Sequence, residues 1–211
     1  MIDERVVAGL RAQLEDRRAA LEWGAERVGW KIGLNIPEAQ EPFGLAEPVI
    51  GYLTSATRLE DGGTHSGGDA GSLRLEPEVA VEIGPSGEVA GLGAAIEIVD
   101  VGRPLGGLEG IVAGNVFHRA FVLGPSRPTP PEPLDAVVTV NGERRETAEA
   151  PADFADAVDV VARHLDAVGE RLEPGDRIIA GSLTPQIPLE PGDEAVVEVG
   201  ALGRLAVSVA L

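Results

Sequence analysis

Cysteine is absent from the chain. Disulfides and thiolate chemistry are therefore excluded, and zinc would lack its sulfur ligands. Aromatic residues are scarce, at 3%. Positive charge is short as well: 17 Lys and Arg stand against 35 Asp and Glu, a formal net charge of −18. Nucleic acid and anionic membrane both demand basic patches, so neither is expected as a partner. No hydrophobic run approaches the length that spans a bilayer. The opening stretch, MIDERVVAGLRAQLEDRR, is charged throughout and has no apolar core of the signal-peptide kind. A soluble cytoplasmic protein is the expectation.

Glycine (28) and proline (16) are plentiful within the 211 residues, and 44% of the chain is hydrophobic. That suits one domain with a sizeable core, built from many turns and short strands. The acidic excess adds a chemical condition. An anionic substrate would need a local cation to hold it, and a metal ion is the obvious one.

Residues 3–27 read as a helix on the stripe Val7, Leu10, Leu14 and Leu21. Residues 27–36 alternate as a strand, and 37–53, with three prolines, read as a loop or lid. A polar loop (60–72) leads into strands at 74–83 and 91–100, and 109–124 holds at least one more. The proline-rich connector 125–133 cannot pair inside a sheet. Residues 136–148 predict a hairpin turning at Asn141-Gly142. A helix over 152–172 follows from Phe154, Val158, Val161, Leu165, Val168 and Leu172. Three strands close the chain, two of them introduced by Glu-Pro-Gly-Asp (173–176 and 190–193), which suits type II turns. The fold class is α+β, one domain over 1–211, with an N-terminal helix in 1–28 and the core in 29–211.

Four charged residues stand where charge is costly. In RLEPEVAVEIG (74–84), Glu76 and Glu78 project side by side from one strand face. Such a pair is either solvated or holds a cation between its members. Glu97 sits in GLGAAIEIVD (91–100), a strand apolar on both faces, and must find a cation or an arginine such as Arg103. Lys31 shares a face with Gly29 and Gly33, which leaves room for a ligand or another backbone; the alternative is a lysine snorkelling to solvent. Ser182 and Thr184, in AGSLTPQIP (180–188), can offer hydroxyls at a strand end, or simply form a turn. His65, His118 and His164 show no metal spacing, and His164 is expected at the surface.

Together GWKIGL (29–34), RLEPEVAVEI (74–83), AAIEIVD (94–100) and DRIIAGSLTPQIPLEPGD (176–193) resemble the fumarylacetoacetate hydrolase superfamily. The resemblance lies in its 2-keto-4-pentenoate hydratase and 2-oxo-hepta-3-ene-1,7-dioate hydratase branch. It implies a mixed β-sandwich or roll of short strands with a few flanking helices. It also implies that Glu76, Glu78 and Glu97 bind one Mg²⁺ or Mn²⁺, consistent with an all-carboxylate donor set. Lys31 falls on the family's K-I-G-L lysine, a charge stabiliser or proton donor, and Ser182 and Thr184 on the segment approaching substrate. The implied reaction is hydration of a 2-hydroxydienoic or 2-oxo acid by a homo-oligomer. Departures stand at Asn35-Ile36 for Thr-Ser, Gly114-Asn115 for Asp-Asn, and Ala150-Pro151 for His-Pro. The N-terminal region and the Glu78–Glu97 link are also short. A decarboxylase or tautomerase, a C–C hydrolase, and a non-catalytic oxo-acid-binding paralogue stay open beside the hydratase. A hydrolase would need a histidine that 35–53 lacks.

Overall fold

A computed structural model describes residues 2–67, 71–128, 134–151 and 153–211. The chain opens with α1 (Glu4–Glu22), β1 (Arg27–Gly33), α2 (Pro37–Gln40) and β2 (Val49–Thr54). Next come β3 (Arg58–Leu59), β4 (Gly63–His65), β5 (Leu73–Ile83), β6 (Val89–Asp100), α3 (Leu108–Ala113) and β7 (His118–Leu123). The second half holds β8 (Leu134–Val140), β9 (Glu143–Ala150), α4 (Ala155–Asp166), β10 (Arg177–Ile179) and β11 (Ile187–Pro188). It closes on β12 (Glu194–Val199) and β13 (Gly203–Val209). No helix among the described residues is long and apolar enough to cross a membrane.

Two sheets carry the architecture, as the α+β reading expects. One runs β2-β1-β10-β5-β6-β7-β3, with β11 added beside β5; the other runs β4-β13-β12-β8-β9. The first sheet must curl. Its two outer strands, β2 and β3, are joined only by the short turn Ser55–Thr57. Four extended residues reach at most about 14 Å, whereas seven flat strands would set their outer members about 29 Å apart. The sheet is therefore a nearly closed roll. Alternation along β5 sends Leu75, Val79, Val81 and Ile83 into the main core, with Val138, Val197 and Val207 of the second sheet. The opposite face lines the roll, where Leu53, Ala80, Ala95, Phe121 and Ile179 pack as a smaller apolar cluster.

Several local readings shift. The first helix ends at Glu22, and its core-facing stripe is Val6, Leu10, Gln13, Leu14 and Arg17, so Val7 and Leu21 lie beside the stripe. The expected lid 37–53 contains β2, a sheet strand, and α3 precedes β7 in the 109–124 segment. The later helix covers only Ala155–Asp166, since Gly169 takes a left-handed φ of 77° and ends it. His164, expected at the surface, is buried, and its Nδ1 lies 2.8 Å from the Val160 carbonyl. The hairpin forms as expected, with Asn141 and Gly142 both at positive φ (53° and 78°), the geometry of a type I′ turn. Part of the proline-rich connector, 129–133, lies outside the described residues. Among the outer strands, β9 carries Glu143, Arg144, Arg145, Glu146 and Glu149, charged side chains that protect its edge.

Candidate metal centre

On the inner face of the roll, β5 and β6 pair in register with Glu76 opposite Glu97 and Glu78 opposite Ala95. Antiparallel partners share a face, so three carboxylates converge. One oxygen from each of Glu76, Glu78 and Glu97 lies within 4.8 Å of the others. Glu78 and Glu97 are fully buried, while Glu76 is half-buried. Each is held from behind. The Gly181 N–H donates to Glu78 Oε2 at 2.6 Å, and Gln186 Nε2 donates to Glu76 Oε1 at 2.7 Å. Lys31 Nζ donates to Glu97 Oε1 at 2.6 Å. Arg103 is exposed and takes no part, so the arginine alternative falls away and Lys31 is the cationic side chain that meets Glu97.

Lys31 is the single lysine of the chain. It is 1% exposed, which removes the snorkelling alternative. Its ammonium also donates to the Val116 carbonyl at 2.9 Å. That carbonyl is aimed by an unusual backbone: Asn115, Val116 and Phe117 all take left-handed φ (58°, 52° and 65°). For non-glycine residues this costs about 1–2 kcal/mol each. The Asn115 side chain clamps the turn, accepting from the Tyr52 N–H at 2.8 Å and donating to the Tyr52 carbonyl at 3.0 Å. The glycines beside Lys31 make room for this turn. A Cβ on Gly33 would lie 2.6 Å from Val116 Cγ1, and one on Gly51 2.5 Å from Asn115 Oδ1 and 2.9 Å from Lys31 Cγ. Gly51→Ala should thus lower stability by roughly 1–3 kcal/mol through overpacking. Thermal unfolding checks it, and an unchanged midpoint would mean the clamp is loose.

One contributor escaped the sequence reading. His118 Nδ1 lies 2.7 Å from Glu97 Oε1, and its Nε2 lies 2.9 Å from Thr57 Oγ1. Its spacing to other ligand types is uninformative. The usable signal was only that a histidine near a buried carboxylate strand offers it a donor.

The donor set fits a hard divalent cation. Glu78 Oε1 and Glu97 Oε2 are buried and have no hydrogen-bond partner among the described residues. Buried carboxylate oxygens without a partner are costly unless a cation meets them. Electrostatics agree. Burial, then the Glu97 charge, pushes the Glu76 carboxyl up to about 7. Burial and both neighbouring carboxylates raise Glu78 well above the usual range. Burial also acts to raise Glu97, but Lys31 and His118 outweigh it and hold its carboxyl below the ordinary value.

These shifts predict a pH dependence. Without a cation, folded protein keeps protons on Glu76 and Glu78 that the unfolded chain releases near pH 4.5. The folded state then binds more protons, so stability must fall as pH rises from about 4.5 toward 7. Saturating Mg²⁺ should remove that fall and add about 2.7 kcal/mol at a hundredfold excess over Kd. Unfolding scans at pH 5 and pH 8, in EDTA and in Mg²⁺, test this. Equal pH trends in both would contradict it.

Ser182 and Thr184 lie on the segment after β10, as placed by sequence, but their hydroxyls turn to their own loop. Ser182 Oγ donates to the Thr184 carbonyl at 2.8 Å and Thr184 Oγ1 to the Pro185 carbonyl at 2.9 Å. The groups of this segment that meet the carboxylates are the Gly181 N–H and the Gln186 side-chain amide. Gly181 and Ser182 also line a groove of about 510 Å³, together with Asn35, Phe154 and Val160. Glu149, Asp153 and Asp156 border it, and among the described residues no basic side chain does.

A curled sheet with a carboxylate trio and a buried lysine on its inner face defines a class of enzyme built around one acidic centre. Residues 35–210 match the family described as fumarylacetoacetate (FAA) hydrolase C-terminal, and the chain belongs to that family. It is 31% identical over 206 residues to a 4-oxalocrotonate decarboxylase of Pseudomonas sp, covering 89% of this chain and 80% of that protein. It is 28% identical over 208 residues to a 2-hydroxyhexa-2,4-dienoate hydratase of Comamonas testosteroni, covering 87% and 78%. Among solved structures it resembles 4-oxalocrotonate decarboxylase from Pseudomonas putida G7 complexed with magnesium and adipate. There the TM-score is 0.83 at 23% identity, over 93% of this chain and 83% of that one. Fumarylpyruvate hydrolase from Pseudomonas aeruginosa, in complex with Mn²⁺ and pyruvate, gives 0.65 at 18% identity, over 88% and 90%.

Proposed function

We propose that this chain is a divalent-metal-dependent hydratase acting on a 2-hydroxydienoate or its 2-oxo tautomer. The observation that carries this is the trio of carboxylates, with two buried unpartnered oxygens, beside the chain's one lysine. Glu76, Glu78 and Glu97 would hold one Mg²⁺ or Mn²⁺, which supplies Lewis acidity toward the substrate's carboxylate and 2-oxo oxygen.

The other roles belong to the chain itself. Lys31 uses two N–H groups on Glu97 and Val116. With substrate bound, the N–H on Glu97 turns to the substrate oxygen on which negative charge grows. The apolar floor of Leu53, Ala80, Ala95, Phe121 and Ile179 keeps bulk water from beneath, which strengthens that charge interaction. In ketonisation the dienol loses its hydroxyl proton and carbon 5 gains one. Water then adds its hydroxyl to carbon 4 and a proton to carbon 3, giving a 4-hydroxy-2-oxo acid. Ser182, on the groove wall, contacts the substrate tail, and Thr184 supports the loop that presents it.

A decarboxylase is the second reading, favoured by the name of the relative at 31% identity. Incubating Mg²⁺-loaded protein with 2-hydroxyhexa-2,4-dienoate and, separately, 4-oxalocrotonate decides between them. Loss of dienoate absorbance to a hydroxylated product, without CO₂, is expected. CO₂ release from 4-oxalocrotonate with no hydration of the dienoate would replace the hydratase by the decarboxylase. We also infer a homo-oligomer, for which the 92% exposed Trp23, just past the end of α1, is a contact candidate. A monomer mass by light scattering at micromolar concentration would contradict it.

A further inference from the structure

We propose that His118 is a positioning residue of this centre. Backed by Thr57, it holds Glu97 through Oε1, so that Oε2 alone faces the cation and Lys31 can leave Glu97 for the substrate. The inference rests on reading the carboxylate trio as a metal centre.

Its first support is the path of β7. From Glu97 opposite Phe121 and Ile98 opposite Ala120, plain register would set Val99 opposite Arg119. The register instead shifts, and Val99 faces His118. Because antiparallel partners share a face, this bulge brings His118 to the inner face in place of Arg119. Bulges beside active sites commonly re-aim a side chain in this way. Arg119 is directed elsewhere, to Asp100 Oδ2 at 3.4 Å.

Hydrogen-bond chemistry is the second support. An ionised carboxylate only accepts, so His118 Nδ1 must carry the proton that meets Glu97 Oε1. His118 Nε2 is then the acceptor, and the Thr57 hydroxyl donates to it. Thr57 thereby fixes tautomer and ring orientation, as partners behind metal ligands do. Glu97 Oε1 receives two donors, Lys31 and His118, while Oε2 has none. If Lys31 turns to a substrate oxygen, Oε1 keeps the His118 donor and is not left orphaned in a buried site. The competing explanation is that the ring only fills space against Phe121, 5.8 Å away between centroids.

Mn²⁺ binding without substrate, followed by the electron paramagnetic resonance of free Mn²⁺, separates the two. His118→Leu should weaken Mn²⁺ binding by about 10- to 100-fold. His118→Asn, whose amide N–H can stand in for Nδ1–H, should recover binding to within about threefold of the unaltered protein. Thr57→Val removes the hydroxyl donor while leaving the buried ring, and should cost about three- to tenfold. It carries the test should His118→Leu fail to fold. At saturating Mn²⁺, His118→Leu should lower kcat with little change in KM, because Lys31 stays tied to Glu97. Unaltered Mn²⁺ affinity in His118→Leu or Thr57→Val overturns the proposal. So does His118→Asn binding as weakly as His118→Leu, which would mean that the ring merely packs. If the unaltered protein binds no Mn²⁺ at all, the metal-centre reading falls, and this inference with it.

Discussion

Lys31→Met should reduce turnover about a hundredfold or more while Mn²⁺ still binds. Removing one preorganised donor from a developing oxyanion typically costs about 10²–10³ in kcat. Methionine keeps the length and apolar stem of lysine, so the space bounded by Gly33, Gly51 and Val116 stays filled. What disappears is the ammonium that touches Glu97 Oε1 and the Val116 carbonyl. In the metal-free variant Glu97 becomes a buried charge with only His118 for support, so its unfolding midpoint should drop. Bound metal should restore most of that loss. Lys31→Arg should not rescue turnover, since a guanidinium is broader and Gly51 leaves no added room. Steady-state rates with metal content measured on the same samples decide the matter. An unchanged kcat in a metal-loaded Lys31→Met protein would reduce Lys31 to a structural partner of Glu97.

Glu78→Gln should separate metal binding from stability, with opposite signs. Glu78 is fully buried, anchored by the Gly181 N–H at Oε2, and bare at Oε1. If the glutamine oxygen keeps the Gly181 bond, its NH₂ group points at the cation position and repels what Oε1 would have bound. Loss of partners behind a ligand costs about 10–100-fold in metal affinity, so loss of a ligand charge should exceed about 100-fold. Turnover at fixed Mg²⁺ should fall in proportion. In EDTA at pH 7, however, the variant should be more stable than the unaltered protein. The folded state no longer has to keep a proton on a carboxyl raised by burial and by two neighbouring carboxylates. Calorimetry with Mg²⁺ and unfolding scans in EDTA give both signs. A variant that binds Mg²⁺ normally would exclude Glu78 from the ligand set.

Much of the centre was legible before any fold was known, because strand alternation is a strict rule. Glu76 and Glu78 had to share a face, and Glu97 had to be buried between apolar neighbours. The hairpin at Asn141-Gly142 was equally secure, since few residues other than Asn and Gly accept two successive positive φ values. Elements of four to six residues were less visible. Helix α3 has only six residues, too few for a periodic stripe, and β2 sits behind prolines that suggest a loop. Arg103 is only one of the partners that the sequence leaves open for Glu97, and the structure delivers Lys31, because sequence nearness says little about which side chain a curled sheet brings to a buried carboxylate.

From the residues alone came the chemical composition of the site: three hard oxygen donors, one lysine set among glycines, and no sulfur to compete for the metal. Local rules were enough for that, because each residue's face follows from its own strand. Tertiary structure alone decided which groups meet. Lys31 and Glu97 lie 66 positions apart, and Lys31 and Val116 lie 85 apart. They touch because β2 and β3, four residues apart in the chain, occupy opposite edges of one sheet and force it to close. A single register shift in β7 then chose His118 over Arg119 for the inner face. Such a shift depends on how two strands settle against each other across the sheet, and neither strand's own sequence records it.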